Sequence, residues 1–189
     1  KRLMIKEIEA DAKKFGDARR TLLEEAKKAT LDVSVVDEPM SVIVSQKGWI
    51  RARTGHAVDA SGLTFKQGDD LSAVYPCRSI HQFYALDSKG RAYSIPVSAL
   101  PGGRGDGVPL ASLIDVQDGA RLVHYFAGSD DSKLVVVTEQ GLGFACKASD
   151  LQSRVKAGKS FVNLAQGDAI LKLMCVVPDD LFLACLASN

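Results

Sequence analysis

The stretches VIVSQKGWIRAR at 42–53, FYALDSKGRAYSI at 83–95 and LVVVTEQGLGFAC at 134–146 decide the fold. Each gives a β-branched or aromatic run, a short polar turn ending in glycine, and a second apolar run. Gly48, Gly90 and Gly141 fall where a tight hairpin needs a residue able to take positive φ. A further element follows each hairpin: KQGDDLSAVY, VQDGARLVHYF and AQGDAILKLM, with Gly68, Gly119 and Gly167. The hairpin glycines are 42 and 51 residues apart and the second set 51 and 48. A unit of roughly 40 to 50 residues and about four strands has the period of a propeller blade, not of a sandwich.

Outside the repeats, residues 3–29 form the one convincing helical pattern, with Ile5, Ile8, Ala12 and Phe15 at spacings of three and four. Gly16 and Asp17 interrupt it, and DARRTLLEEAKKA resumes it, so two helical pieces with a joint are expected. The chain then reads as a helical segment over 1–31 followed by a β domain over 32–189. The last residues, LFLACLASN, match the start of a fourth hairpin, so the chain is expected to hold about three blades and part of a fourth, as a fragment of a longer protein.

Charge narrows the function. Net charge is +1 over 189 residues, which excludes a uniformly basic nucleic-acid binder. The charges are sorted, however: residues 47–104 carry eight Lys/Arg and four Asp/Glu, and everything after Arg104 carries seven and ten. A local basic track is therefore allowed. No run of about 18 apolar residues could span a bilayer, and the first twenty residues lack the pattern of a secretory signal. A soluble cytoplasmic chain without membrane association is expected.

Several short motifs do not carry chemistry. GKS at 158–160 fails as a phosphate loop, because the first glycine of GxxxxGK[ST] would fall at Ser153. RGD at 104–106 is a chance tripeptide. His56, His81 and His124 lack metal-ligand spacing, and Cys77, Cys146, Cys175 and Cys185 contain no CxxC and read as core residues. Tyr75, Tyr84, Tyr93 and Tyr125 all lie in β segments and read as packing residues.

The combination of FGDARRT at 15–21, β repeats of this period, and GGRG at 102–105 resembles the A subunit of bacterial type IIA topoisomerases. That resemblance implies the end of a helical breakage and reunion region leading into a C-terminal β-pinwheel that binds double-stranded DNA. Gyrase members carry QRRGGRG or a close variant in the first repeat. Here only Gly102, Gly103, Arg104 and Gly105 remain, in the second repeat, with Ala99, Leu100 and Pro101 where Gln and two basic residues would stand. This degenerate box points to the topoisomerase IV branch and to weaker wrapping of DNA. The resemblance further implies a homodimer of the full-length polypeptide, a separate ATPase polypeptide (the B component) completing a heterotetramer, nucleoid association, and Mg2+ and ATP bound elsewhere. It also leaves room for a chromosome-organising partner. Catalytic groups would lie outside this chain, which is expected to be inert by itself and to hold no cofactor or metal.

The expected DNA contacts are Lys47, Arg51, Arg53, Lys66, Arg78, Lys89, Arg91 and Arg104, with Arg154, Lys156 and Lys159 as a second cluster. Arg51 and Arg53 stand out because the equivalent strand face is mostly apolar in the other repeats, which argues that this face meets something anionic. The implied action is non-specific duplex binding and bending that selects DNA crossings for decatenation and relaxation. A propeller-like protein-interaction module without DNA binding is the alternative.

Overall fold

The computed structural model describes residues 1–17, 36–58, 62–102 and 105–176. The second helical piece, the RRT of FGDARRT, the start of the fourth hairpin, and Gly103 and Arg104 lie outside these residues. The chain divides into two compact units, Lys1–Ser34 and Val35–Asn189.

Among the described residues of the first unit one helix, α1, runs Arg2–Phe15. Lys13 and Lys14 in its last turn suit the negative end of its dipole, and the Gly16 N–H caps it by donating to Ala12 O at 2.9 Å. No residue of α1 is buried; its stripe of Leu3, Met4, Ile5, Ile8 and Phe15 is exposed.

Among the described residues of the second unit there are eleven strands: β1 Pro39–Ser45, β2 Trp49–Thr54, β3 Leu71–Arg78, β4 Gln82–Asp87, β5 Arg91–Pro96, β6 Val108–Pro109, β7 Leu122–Gly128, β8 Lys133–Val137, β9 Gly143–Lys147, β10 Lys159–Ser160 and β11 Met174–Val176. They form three antiparallel sheets, ordered β3-β1-β2-β6, β10-β5-β4-β7 and β11-β8-β9. The hairpins are β1–β2, β4–β5 and β8–β9, and the second elements supply β3, β7 and β11, as the repeat predicts.

The fourth strand of each complete blade was not legible. β6 follows the second hairpin in sequence but pairs back onto β2, through Trp49 with Pro109 and Ile50 with Val108. β10 follows the third hairpin and pairs back onto β5, through Ala92 with Lys159 and Arg91 with Ser160. A blade is therefore not one contiguous repeat: each completed sheet borrows its edge from the next one. That strand exchange ties neighbouring blades together by backbone hydrogen bonds as well as by packing.

Each hairpin turns in the same way. Gly48, Gly90 and Gly141 have φ of 76°, 81° and 81°, and their N–H groups donate to Ser45, Asp87 and Thr138 carbonyls at 3.0 to 3.1 Å. These three turn-opening residues are buried polar side chains. In the second blade the reason is plain: Asp87 accepts from Lys89 N, Arg91 N and Tyr93 Oη, all at 2.9 Å, so its carboxylate satisfies the turn's free amides. In the first blade Ser45 Oγ accepts from Trp49 N at 3.0 Å and donates to Asp69 at 2.7 Å.

Strand alternation places the middle blade between its neighbours. Phe83, Ala85, Tyr93 and Ile95 pack toward Val42, Val44, Ile50 and Ala52 of the first sheet. Tyr84, Leu86 and Ala92, one residue out of phase, pack toward Leu134, Val136, Ala148 and Leu151 of the third. Rings stack across β4 and β7, Phe83 with Tyr125 at 5.9 Å and Tyr84 with Phe126 at 6.3 Å. The tyrosines are thus packing residues in the structure. Burial, with the hydrogen bond to Asp130, pushes the Tyr84 hydroxyl well above its ordinary range. Cys77 is buried, whereas Cys175 is exposed; the reading of all four cysteines as core residues fails at Cys175, which sits on the edge strand β11.

Candidate nucleic-acid interface

Two arcs of the β unit gather basic side chains. The first is the row of turns. In each blade the hairpin turn is joined to the turn of the second element by one backbone bond: Gln46 N to Asp70 O at 2.8 Å, Ser88 N to Arg121 O at 2.7 Å, and Glu139 N to Ala169 O at 2.9 Å. Lys47 and Lys66 therefore come together on the first blade although nineteen residues separate them. Lys66 Nζ lies 3.6 Å from the centroid of the Trp49 ring, an arrangement that keeps the ammonium exposed while fixing its stem. On the second blade Lys89 donates to Asp118 O at 2.5 Å and stands beside Arg121. The third blade offers Glu139, Gln140 and Asp168 at the same places.

Arg121 was missed by sequence reasoning, and the signal existed. Aligned on Gly68, Gly119 and Gly167, the repeats read Asp70, Arg121 and Ala169, so a cation replaces a carboxylate two residues after the turn glycine. A cavity of about 490 Å³ between the first hairpin turn and the second blade's turn is lined by Lys47, Gly119, Arg121 and Tyr125 among others.

The second arc is formed by the loops that precede the borrowed strands. Ala52 N donates to Pro101 O at 2.9 Å, and Ser153 is held by Ser94 through two bonds of 2.9 Å. Gly107 then closes the first loop against β2 and Gly158 the second against β5. Gly102 and Gly105, the described ends of the degenerate box, therefore occupy the places that Ser153 and Lys156 hold on the next sheet, although GGRG and SRVK share no aligned residue. Arg154 and Lys156 are exposed and Lys159 is half-buried in β10. Gly102 and Gly105 are exposed; Arg104 lies outside the described residues.

Not every expected cation is free to meet a ligand. Arg91 donates to Ala157 O at 2.8 Å and to Gly158 O at 2.9 Å, bracing the second loop. Arg78 is paired with Asp37 at 2.6 Å, both side chains about half exposed, and this hydrogen-bonded carboxylate raises the arginine's pKa further.

Arg51 requires a correction. Sequence reasoning placed it with Arg53 on an exposed strand face; Arg53 is exposed, but Arg51 is 6% exposed. Its guanidinium donates to Gly105 O and, at 2.9 Å, to Thr64 O, with the Phe65 ring 5.2 Å away. The cause is tertiary: residues 62–65 and the loop before β6 both fold over the middle of β2, and a forked donor there satisfies carbonyls from each. The histidines are structural in the same sense: His56 and His124 hydrogen-bond the Cys77 and Ile170 carbonyls at 2.8 and 2.6 Å. Lys159 and Ser160 of the GKS triplet form a strand. Among the described residues no three His, Cys, Asp or Glu come together as a metal cage, and no helix is long and apolar enough to cross a membrane.

Strand-exchanged blades with basic rim loops define a propeller-like C-terminal domain of the gyrase A class, and a family model described as the DNA gyrase C-terminal domain, beta-propeller, matches residues 88–125 and 132–176. The A subunit of DNA topoisomerase 4 from Neisseria gonorrhoeae is 44% identical over 179 residues, 93% of this chain and 23% of that protein. Its Escherichia coli K12 counterpart is 38% identical over 172 residues, 89% of this chain and 23% of the relative. The solved E. coli ParC C-terminal domain superposes with a TM-score of 0.71 at 36% identity, covering 76% of this chain and 58% of that one. The chain belongs to the family of topoisomerase IV A subunits, and it spans about a quarter of the length of these relatives.

Proposed function

We propose that the β unit binds duplex DNA without reading its sequence and bends it over the rim of the blades. The observation that supports this is the exposed cation pair Arg154 and Lys156 on the loop before β10. Lys47, Lys66, Lys89 and Arg121 add a second line along the turns. Contacts of this kind go to phosphates, releasing counterions and fixing register without touching base edges. Bending 20 to 30 base pairs costs about 1 to 6 kcal/mol, which a modest number of phosphate contacts can offset. The third blade, with Glu139 and Asp168 at its turn, ends the basic line, so the bound path is short and wrapping weaker than a fully basic rim would give.

Within a full topoisomerase IV the unit would hold the DNA to be passed and bias the enzyme toward crossings suited to decatenation and relaxation. The nucleophile, Mg2+ and ATP sites would lie in the rest of the homodimeric polypeptide and in its ATPase companion, in a nucleoid-associated heterotetramer. A binding titration with a labelled 30-base-pair duplex at two salt concentrations tests the reading. Salt-dependent affinity that is unchanged between unrelated sequences supports it; absence of binding at low salt overturns it.

One observation favours a second role. The turn of the third blade carries Glu139 and Asp168 where the first two blades carry cations, a surface suited to a protein partner such as a chromosome-organising protein and unsuited to DNA. Retention of such a partner without DNA would favour the interaction module over the DNA reading.

A further inference from the structure

The cleft of about 490 Å³ between the first hairpin turn and the loop leading into β7 is lined by described residues throughout. Its floor is apolar: Val116, Leu122 and the Tyr125 ring are half-buried against the first core. Its rim is polar, with Gln46, Lys47, Gln117 and Arg121 exposed. The Gln46, Gln117 and Arg121 side chains and the Tyr125 hydroxyl have no hydrogen-bond partner among the described residues. The next junction is filled at the equivalent glycine. There Phe161 N and Val162 N both donate to Gly90 O, at 2.9 and 2.8 Å, and a Cβ at Gly90 would run into the Val162 carbonyl. At the first junction Gly48 O accepts from Leu110 N at 2.9 Å, and a Cβ at Gly48 would meet nothing within 4 Å.

We propose that this cleft binds a short acidic peptide segment of a partner protein, with an aliphatic side chain on the floor and carboxylates against Arg121 and Lys47. Each part of the cleft answers one part of such a peptide. Half-buried apolar surface gains by being covered with another apolar group. A guanidinium that engages no described carboxylate is suited to a forked pair with one. Glutamine amides offer both donor and acceptor, as a peptide backbone requires. Duplex DNA answers only the cations: its phosphates would face Asp118 as well as Arg121 and would leave the apolar floor uncovered. Lys47 and Arg121 also belong to the line of turns on the proposed DNA path, so a bound peptide should compete with duplex there. That competition, though not the site itself, rests on the DNA-binding reading.

The test is amide nitrogen-proton NMR of the 189-residue chain, titrated with an end-blocked peptide of one leucine between two pairs of glutamates. The Gly48, Gly119, Ala120 and Leu122 amides should shift saturably. Replacing the peptide's leucine by serine should weaken binding several-fold, and replacing its glutamates by lysines should abolish it. Arg121→Gln in the protein should weaken binding several-fold while the amides of the third blade keep their positions. No saturable shift, or equal affinity for the leucine and serine peptides, overturns the site. Shifts at these amides with a 30-base-pair duplex and none with the peptide assign the cleft to the DNA path and overturn it as well. Peptide shifts that a bound duplex does not reverse overturn the competition and leave the site standing. If anisotropy shows no duplex bound, the DNA reading fails and the peptide shifts alone judge the site.

Discussion

Gly107 and Gly158 hold the same place on successive sheets: each immediately precedes a borrowed strand and lies against the strand that receives it. Their φ angles are 84° and 64°. A Cβ at Gly107 would run into the Ile50 carbonyl, and one at Gly158 would come within 2.6 Å of the Ala92 carbonyl. Any side chain there separates β10 from β5, or β6 from β2. Gly158→Ala should therefore destabilise the β unit by about 1 to 3 kcal/mol through left-handed strain alone, with more from the clash. Urea unfolding followed by tryptophan fluorescence measures it. A stability equal to that of the unmodified chain would mean that the borrowed strand does not hold the blades together.

The rim loop makes a separate prediction about binding. Arg154 and Lys156 are exposed and engage no described carboxylate, so Arg154→Glu with Lys156→Glu should leave stability within about 0.5 kcal/mol. Duplex affinity should nevertheless fall, and the slope of log affinity against log salt should flatten by about 2 if both contact phosphates. An unchanged slope would remove this loop from the DNA path. Arg121→Glu is expected to act in the same direction by about half as much.

Arg51 and Arg53 are two residues apart on one strand yet should behave oppositely. Arg53→Ala removes an exposed charge and should lower DNA affinity with little effect on folding. Arg51→Ala leaves the Gly105 and Thr64 carbonyls without their donor and should cost about 1 to 3 kcal/mol of stability. Thermal unfolding of the two variants side by side distinguishes the strut from the surface cation; equal melting temperatures would contradict the burial of Arg51.

The first blade's turns should respond to acid. Burial pushes the Asp69 carboxyl up, but hydrogen bonds from Ser45 Oγ, Lys47 N and Asp70 N outweigh it and hold the carboxyl below its ordinary value. A carboxylate depressed in the folded state stabilises it fully above the unfolded value of about 3.9 and loses that contribution as pH falls through the lower folded value. The protection of the Lys47 amide, relative to the free-peptide rate at the same pH, should hold at neutral pH and fall only below about pH 4. Asp69→Asn should make exchange fast at neutral pH.

The repeat was legible because a hairpin advertises itself within a dozen residues: alternating apolar positions, a turn, and glycine at the one place with positive φ. Hence β1, β2, β4, β5, β8 and β9 could be placed from local pattern, as could the second elements that became β3, β7 and β11. β6 and β10 could not. Val108–Pro109 and Lys159–Ser160 are two residues long, too short to carry a period, and one of them contains a proline. Only a neighbouring sheet with a free edge makes such a pair into a strand.

The same division runs through the candidate interface. Lysine and arginine content marked residues 47–104 as a basic stretch, and the run at 154–159 as another, without any structure. That Gly102 and Gly105 stand where Ser153 and Lys156 stand on the next sheet depended on how β6 and β10 fold back, since GGRG and SRVK have no aligned residue in common. Whether a cation reaches solvent was likewise a tertiary matter. Arg53 and Arg51 look alike along the strand, but segments 13 and 54 residues away in sequence close over one of them. Sequence by itself determined the class of fold, its period and its charge bias, because these arise from short-range periodicity and composition. Tertiary structure decided the strand exchange, the buried arginine and the alignment of the rim loops, because each rests on contacts between distant segments that no local pattern encodes.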